Sequence, residues 1–148
     1  MDNQHIRPIS ICLFRNGDRI LVEKDYDTVK ESYYCRPLGG GIEFGEHSRD
    51  AILRELDEEL GQSVENLRLI TIIEHFFTVD GQKGHDIVFL YEADFKDKSL
   101  YALKELDVYE EESNTVSKAI WLSRDEMHEK AIRLMPEGLE EILQNEAL

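Results

Sequence analysis

Long hydrophobic runs are missing from this sequence of 148 residues, and their absence narrows the class of protein. No apolar stretch approaches the roughly 20 residues that a membrane-spanning helix needs. The first residues, Met1 to His5, also lack the basic region and apolar run of a secretory signal. We therefore expect a cytoplasmic protein with no membrane partner.

Cysteine is also scarce, with only two residues, Cys12 and Cys35. The disulfide scaffold of a small secreted domain needs a much higher density of cysteines. Cys12 lies within an apolar run, where a thiol behaves as a small hydrophobic side chain. The sequence predicts two reduced thiols that form no bridge, as is usual in the cytoplasm.

Positive charge is the third shortage. The chain has 17 Lys and Arg residues against 32 Asp and Glu residues, and its net charge is −15. This acidity disfavours binding to nucleic-acid polymers and to anionic membranes, because both are themselves negatively charged. An acidic protein that acts on phosphates needs a divalent cation to neutralise carboxylates and phosphates together. Solubility is the simpler explanation for much of the charge.

The chain does contain a regular succession of strand-like segments. Its length predicts one domain over residues 1–148, and a hydrophobic content of 41% is ordinary for a globular protein. Asn16-Gly17-Asp18 predicts a hairpin between the first two strands, and the polar segments 25–32 and 96–117 predict loops. The predicted strands are Pro8–Phe14, Arg19–Glu23, Tyr33–Leu38, Leu67–Val79, His85–Phe95 and Lys118–Leu122.

Two helices are predicted among these strands. The first begins near Ser48, taken as its N-cap, and ends at Gly61. The second is capped by Ser123 and is interrupted at Pro136; its apolar positions are Met127, Ala131, Leu134, Leu139 and Ile142. The order of strands and helices indicates a mixed α/β or α+β fold, with a sheet and flanking helices in a sandwich.

The segment Gly40–Gln62 carries the strongest chemical pattern. It reads Gly40-x5-Glu46-x7-Arg54-Glu55-Leu56-Asp57-Glu58-Glu59-Leu60-Gly61-Gln62. At about 100° per residue, Glu55, Glu58 and Glu59 share one sector of the helix, where like charges repel and destabilise it. A bound cation is the simplest compensation for that repulsion. The apolar residues occupy another sector and are expected to face a core: Ile52, Leu53, Leu56 and Leu60.

This spacing resembles the signature of the Nudix (MutT-like) hydrolase family over its whole length. Gln62 departs from the aliphatic residue usual in the family, and Leu38 stands where a proline often precedes the glycines. Neither departure removes a charged group. The resemblance implies an α/β/α sandwich with a mixed sheet, in which the signature forms a loop-helix-loop.

The resemblance also implies a metal site and names its residues. Glu55, Glu58 and Glu59 are the expected metal ligands, with the backbone carbonyl of Gly39 completing the set. Carboxylate and carbonyl oxygens favour Mg2+ or Mn2+. Arg54 is expected to orient a glutamate by a charge-assisted hydrogen bond.

The implied reaction is hydrolysis of a nucleoside diphosphate linked to another group, by attack of an activated water on phosphorus. A carboxylate is expected to take the proton of that water as general base. Within the signature the candidates are Glu55 and Glu58. The candidates in a later loop are Glu105, Glu110, Glu111 and Glu112, and the sequence does not rank them.

Substrate-binding residues are less clearly marked. Arg36, three residues before the glycine turn, is a candidate phosphate ligand, and Phe77 is a candidate for stacking on a nucleobase. We expect a small nucleotide-type substrate of undefined identity. A nucleotide-binding or sensing module without turnover is the alternative function, and the sequence leaves a homodimer open.

Overall fold

The computed structural model describes residues 4–146. Within this range, the strands are β1 (Ile6–Leu13), β2 (Arg15–Asn16), β3 (Arg19–Asp27), β4 (Ser32–Arg36), β5 (Leu38–Gly41), β6 (Val64–Val79), β7 (Gln82–Phe95), β8 (Glu105–Glu110), β9 (Thr115–Ser123) and β10 (Ile132–Leu134). The helices are α1 (Ser48–Leu60), α2 (Arg124–Glu129) and α3 (Leu139–Glu146), with a short 3-10 helix at Lys98–Ala102. None of these described helices has the length and apolar character needed to cross a membrane.

The strands form two mixed sheets. The first has the order β5-β1-β7-β6, and its central pair, β1 and β7, is parallel. The second has the order β10-β4-β3-β9-β8, with β2 paired to β3 and with β10 parallel to β4. The α+β class and the mixed pairing predicted from the sequence are therefore confirmed.

The central strands of the first sheet, β1 and β7, pack against a core on each face. On one face, Cys12 and Tyr91 belong to a core that includes Ile52 and Leu56 of α1. On the other face, Ile11, Val88 and Leu90 belong to a second core, which includes residues of β3, β9, α2 and α3. A strand buried on both faces reads as a continuous apolar run, as β1 does from Ile9 onwards.

The two cysteines lie in different cores. Cys12 belongs to the α1 core and Cys35 to the opposite one, and both are free and buried. The prediction of unbridged thiols is confirmed.

The predicted hairpin turn at Asn16-Gly17-Asp18 is confirmed, but the first arm of the hairpin is the short β2 and not Pro8–Phe14. β1 lies in the first sheet and β3 in the second, and only Arg15 and Asn16 pair with the start of β3. Phe14 lies between β1 and β2, fully buried and stacked on Phe95 with 3.9 Å between ring centroids. β1 instead pairs with β5 along one edge and with β7 along the other.

The predicted C-terminal helix is confirmed at its cap and in its second part, but it is wrong over residues 130–134. Ser123 does cap α2, in a reciprocal capping box with Glu126, but α2 ends at Glu129. Ala131 has a positive φ of 55°, and β10 follows it. Pairing of β10 with β4 satisfies the backbone of Ile132–Leu134, so a sheet contact outweighs the helical pattern read from the sequence.

Helix α1 begins and ends close to its predicted bounds, but two details differ. Its N-cap is His47, without a side-chain cap, while Ser48 Oγ pairs with the Tyr91 hydroxyl at 2.6 Å. Leu53, expected in a core, is 38% exposed. Gly61 stops the helix as predicted, with a left-handed φ of 63° that a glycine adopts without strain.

Two predicted loops contain regular structure. The segment 25–32 loses its first part to β3, which continues to Asp27. The segment 96–117 holds the 3-10 helix, β8 and the start of β9. These strands carry polar side chains on one face, and their two-residue alternation was not recognised in this acidic segment.

Gly39 on β5 supplies a stability test. Its φ is 149°, and a Cβ atom there would lie 2.0 Å from the backbone oxygen of Ser10 on β1. Gly39→Ala is therefore expected to lower the free energy of unfolding by about 3 kcal/mol, measured by urea titration. Gly41→Ala is the matched control, because nothing lies within 4 Å of its built Cβ. Equal stability of the two variants would contradict the close approach of β5 to β1.

Candidate active site

The sequence-predicted site residues meet in one cleft of about 900 Å3 between the two sheets. The cleft is bounded by β5 and α1 on one side and by the ends of β3 and β8 on another. All of the predicted residues line it: Arg36, Gly39, Arg54, Glu55, Glu58, Glu59 and Phe77.

Arg54 organises the carboxylates of the loop and helix. Its Nε and Nη2 atoms donate to the two carboxylate oxygens of Glu46 at 2.8 and 2.9 Å. Its Nη1 donates to Glu55 at 3.2 Å and to Glu58 at 3.3 Å, and Nη2 also donates to the carbonyl of Gly41 at 3.0 Å. The Arg54 guanidinium thus offsets part of the repulsion between carboxylates, for which the sequence pattern predicted a bound cation.

Gly40 is needed for this arrangement because the Glu55 carboxylate packs against its backbone. A Cβ atom at Gly40 would lie 2.5 Å from Glu55 Oε1. The glycines, which the structure places in strand β5 and not in a turn, therefore bring backbone and carboxylate together.

Glu46 is the acid that Arg54 pairs with most closely. Hydrogen bonds from Arg54, and then one from the backbone N–H of Glu43, lower the pKa of Glu46 to about 2. It therefore stays ionised and ties the loop before α1 to the helix itself.

Glu59 has a different environment, although it lies one residue from Glu58. Its carboxylate faces Glu23 in the middle of β3 and Glu110 at the end of β8, and ligand oxygens of these three residues lie within 4.8 Å of one another. We call Glu23, Glu59 and Glu110 the carboxylate trio. Glu59 is only 9% exposed, and its Oε1 has no hydrogen-bond partner among residues 4–146.

The electrostatics of the trio favour a cation. Burial, and then the charges of Glu23, Glu55 and Glu110, raises the pKa of Glu59. Burial, and then Glu110, raises the pKa of Glu23 in the same direction. Arg36, the cross-strand neighbour of Glu23, opposes both shifts without cancelling them. Three hard oxygen donors with too little positive charge around them suit a divalent cation such as Mg2+ or Mn2+.

The structure ranks the later acids that the sequence left unranked. Glu110 alone among the four lies in the trio, and Ser117 Oγ donates to its Oε1 at 3.1 Å. Glu111 and Glu112 line the cleft beyond it. Glu105 lies at the other end of β8 and is 3.9 Å from Lys118 Nζ.

Glu23 is the functional candidate that sequence reasoning missed. It stands at the end of a predicted strand and outside the signature. In a chain with 32 acidic residues, nothing in the sequence distinguishes it from a solvated surface acid. Its approach to Glu59 depends on how β3 packs beside α1, which no local pattern reports.

The two predicted substrate residues occupy separate parts of the cleft. Arg36 is close to the trio, as its effect on two of the acids requires. Phe77 lies on β6, stacked on His75 with 4.7 Å between ring centroids. The Phe77 ring covers Gly84 of β7, where a Cβ would come within 2.1 Å of it.

A comparison with protein-family models decides the relationship. The model described as the NUDIX domain matches residues 4–145. The chain belongs to the Nudix family. That membership supports a hydrolase acting on pyrophosphate bonds, and the family generally uses divalent metals and small nucleotide-type substrates.

Solved Nudix structures share the fold at low sequence identity. A MutT Nudix hydrolase from Burkholderia pseudomallei is 22% identical, with a TM-score of 0.59 over 83% of this chain and 87% of the other. A Nudix hydrolase from Nitrosomonas europaea is 20% identical, with a TM-score of 0.63 over 97% and 90%. A MutT protein from Bacillus halodurans is 21% identical, with a TM-score of 0.57 over 93% and 80%.

The depressed pKa of Glu46 predicts a pH dependence of stability. Its folded-state pKa of about 2 lies below the ordinary value of 4.5, so its contribution is present above pH 4.5 and is lost as the pH falls through about 2. We expect Glu46→Gln to have a lower Tm than the wild type at pH 7 and to converge with it near pH 2. Thermal unfolding across this range measures the difference.

Glu43→Gln is the control for that experiment. Glu43 lies 3.7 Å from Arg54 Nη1, and its side chain is 67% exposed, so it is a weak partner. If Glu43→Gln and Glu46→Gln changed Tm equally at pH 7, the central place of the Glu46 pair would be wrong.

Proposed function

We propose that this Nudix protein is a pyrophosphohydrolase that depends on Mg2+ or Mn2+ and cleaves a nucleoside diphosphate linked to another group. The observation that carries the proposal is the carboxylate trio beside the carboxylates of the Nudix signature in one cleft. We treat the chain as one catalytic domain, and two buried free thiols support a reducing, cytoplasmic setting.

The cleft fits a divalent cation by the chemistry of its donors. Glu59 Oε1 is buried without a partner in the described chain, and its neighbours Glu23 and Glu110 offer only oxygen. The residues that would hold the metal are Glu55, Glu58 and Glu59, the carbonyl of Gly39, and, from the structure, Glu23 and Glu110. When bound, the cation supplies positive charge to the phosphates and lowers the pKa of a water ligand.

The protein's own groups divide the remaining work. Arg54 orients Glu55 and Glu58 by direct hydrogen bonds, so we propose that these two acids bind the metal. Glu110, oriented by Ser117, is the proposed general base that accepts the proton of the attacking water at its carboxylate. Arg36 is proposed to contact a substrate phosphate, and Phe77 to stack on the base.

A turnover panel tests the hydrolase. It contains canonical and oxidised nucleoside triphosphates, ADP-ribose, nucleotide sugars and dinucleoside polyphosphates, assayed with Mg2+ or Mn2+ for the nucleotide and the second phosphorylated product of cleavage. We expect metal-dependent cleavage of at least one class, lowered about a hundredfold or more by Glu58→Gln, Glu59→Gln or Glu110→Gln.

Glu105→Gln is the matched control on β8, since Glu105 lies outside the cleft, and it is expected to keep wild-type turnover. Loss of activity in Glu105→Gln equal to that in Glu110→Gln would remove Glu110 as the base. Metal-dependent nucleotide binding without turnover of any compound would favour the sensing module instead.

Metal binding is also expected to stabilise the fold. A cation that binds only the folded state adds about 2.7 kcal/mol at a concentration one hundred times its Kd. We expect Mg2+ to raise the Tm of the wild type and to have much less effect on Glu59→Gln. A Tm that does not respond to Mg2+ or Mn2+ in the wild type would contradict the metal site.

A further inference from the structure

The cleft has a second polar region, away from the carboxylates. It consists of Arg7 on β1, His75 on β6 and Asp86 on β7, with Phe77 beside them. Arg7 and His75 are the cross-strand neighbours of Asp86 on its two sides. We call Arg7, His75 and Asp86 the distal cluster.

His75 has an unmet hydrogen-bonding group in this cluster. The residue is only 5% exposed, and its Nε2 atom has no partner within the described part of the chain. A buried polar atom left unpaired costs free energy, which a ligand group can recover. Burial lowers the pKa of His75, although Asp86 and Glu137 act in the opposite direction. The ring is therefore mainly neutral at pH 7.

Arg7 is the second residue of the cluster that can hydrogen-bond to a ligand, and Asp86 fixes its side chain in place. Arg7 Nε donates to Asp86 Oδ1 at 3.2 Å, and Nη2 donates to Oδ2 at 3.1 Å. Asp86 is 4% exposed, whereas the Arg7 side chain is 49% exposed. Both carboxylate oxygens are thus engaged, while the guanidinium still has hydrogens on Nη1 outside the pair. Arginine carries donors only, so this side of the cleft favours acceptors on a ligand.

The distal cluster lies about one nucleoside length from Gly39 on β5. Ile11 of β1 pairs with Gly39, and Arg7 is four residues earlier on the same strand and the same face. At about 3.3 Å per residue, the two positions are about 13 Å apart. That is the scale of a nucleoside, so a ligand with its phosphates beside Gly39, an expected metal ligand, would bring its base to the distal cluster.

We propose that Arg7, held by Asp86, and the neighbouring His75 are specificity-determining residues that select a base with a carbonyl group, rather than an amino group, on its outward edge. The proposal rests on the proposed function, since it places a nucleotide in the same cleft. A carbonyl oxygen accepts from the Arg7 guanidinium, and an amino group at the same ring position directs a donor against a donor. Phe77 supplies the adjoining ring face.

Two matched pairs of nucleoside monophosphates test the selection. IMP and AMP differ by carbonyl against amino at one ring position, as do UMP and CMP, and none of them has a pyrophosphate bond to cleave. Binding to the full wild-type chain is measured by NMR titration. We expect the carbonyl member of each pair to bind about tenfold more tightly. Arg7→Met and His75→Leu are expected to reduce that ratio to about twofold or less.

His85→Leu is the matched control. His85 is the neighbour of Asp86 on β7, lies against Phe76 and does not line the cleft, so this variant is expected to keep the wild-type ratio. Thermal unfolding verifies that each variant is folded. Should His75→Leu fail to fold, Arg7→Met decides the test, because its side chain is half exposed.

The outcomes separate this inference from the proposed hydrolase. A wild-type ratio near one, no binding of any monophosphate, or a ratio unchanged in Arg7→Met would overturn the selection. Turnover of triphosphates with equal binding of the two members of each monophosphate pair would support the hydrolase and contradict the carbonyl selection. Carbonyl selection that both cluster variants abolish, in a protein without turnover, would uphold the inference alone.

Discussion

The contacts of one guanidinium, that of Arg54, hold the site together. Without it, the carboxylates of the loop and of α1 repel one another, and nothing else described here draws Glu46, Glu55 and Glu58 to one point. The same guanidinium donates to the carbonyl of Gly41, so it ties the helix to the edge strand β5. A bidentate pair with Glu46 has the geometry that only arginine provides, and lysine could not replace it. The loop before α1, the helix itself and the glycines of β5 therefore form one unit.

Burial of the first sheet on both faces then decides where that unit sits. Helix α1 covers one face through Ile52 and Leu56, while the second sheet and the C-terminal helices cover the other. Contacts of α1 with β5 and β8 carry its last turn towards the second sheet. Glu59 thereby leaves the Arg54 network and meets Glu23 and Glu110. Neighbouring acids on one helix acquire different environments because only one of them reaches between the sheets.

Charge is distributed unevenly along the cleft. The trio is rich in carboxylates with raised pKa values and has little positive charge nearby, which is the condition a divalent cation relieves. The distal cluster instead offers a fixed guanidinium and a neutral imidazole. A polyanionic ligand with an uncharged base matches this polarity in one orientation. The net charge of −15 thus coexists with phosphate chemistry through a local arrangement and not through the average surface.

The sequence by itself determined what depends on neighbours along the chain. The helical period placed Glu55, Glu58 and Glu59 in one sector of α1, and Gly61 ended the helix, because these are interactions within a few residues. Only the tertiary structure decided that β1 leaves its hairpin partner, that β10 interrupts the C-terminal helix, and that Glu23 and His75 face the cleft. Each of these depends on pairing between strands distant in sequence, where burial and hydrogen bonding across sheets outweigh local propensity.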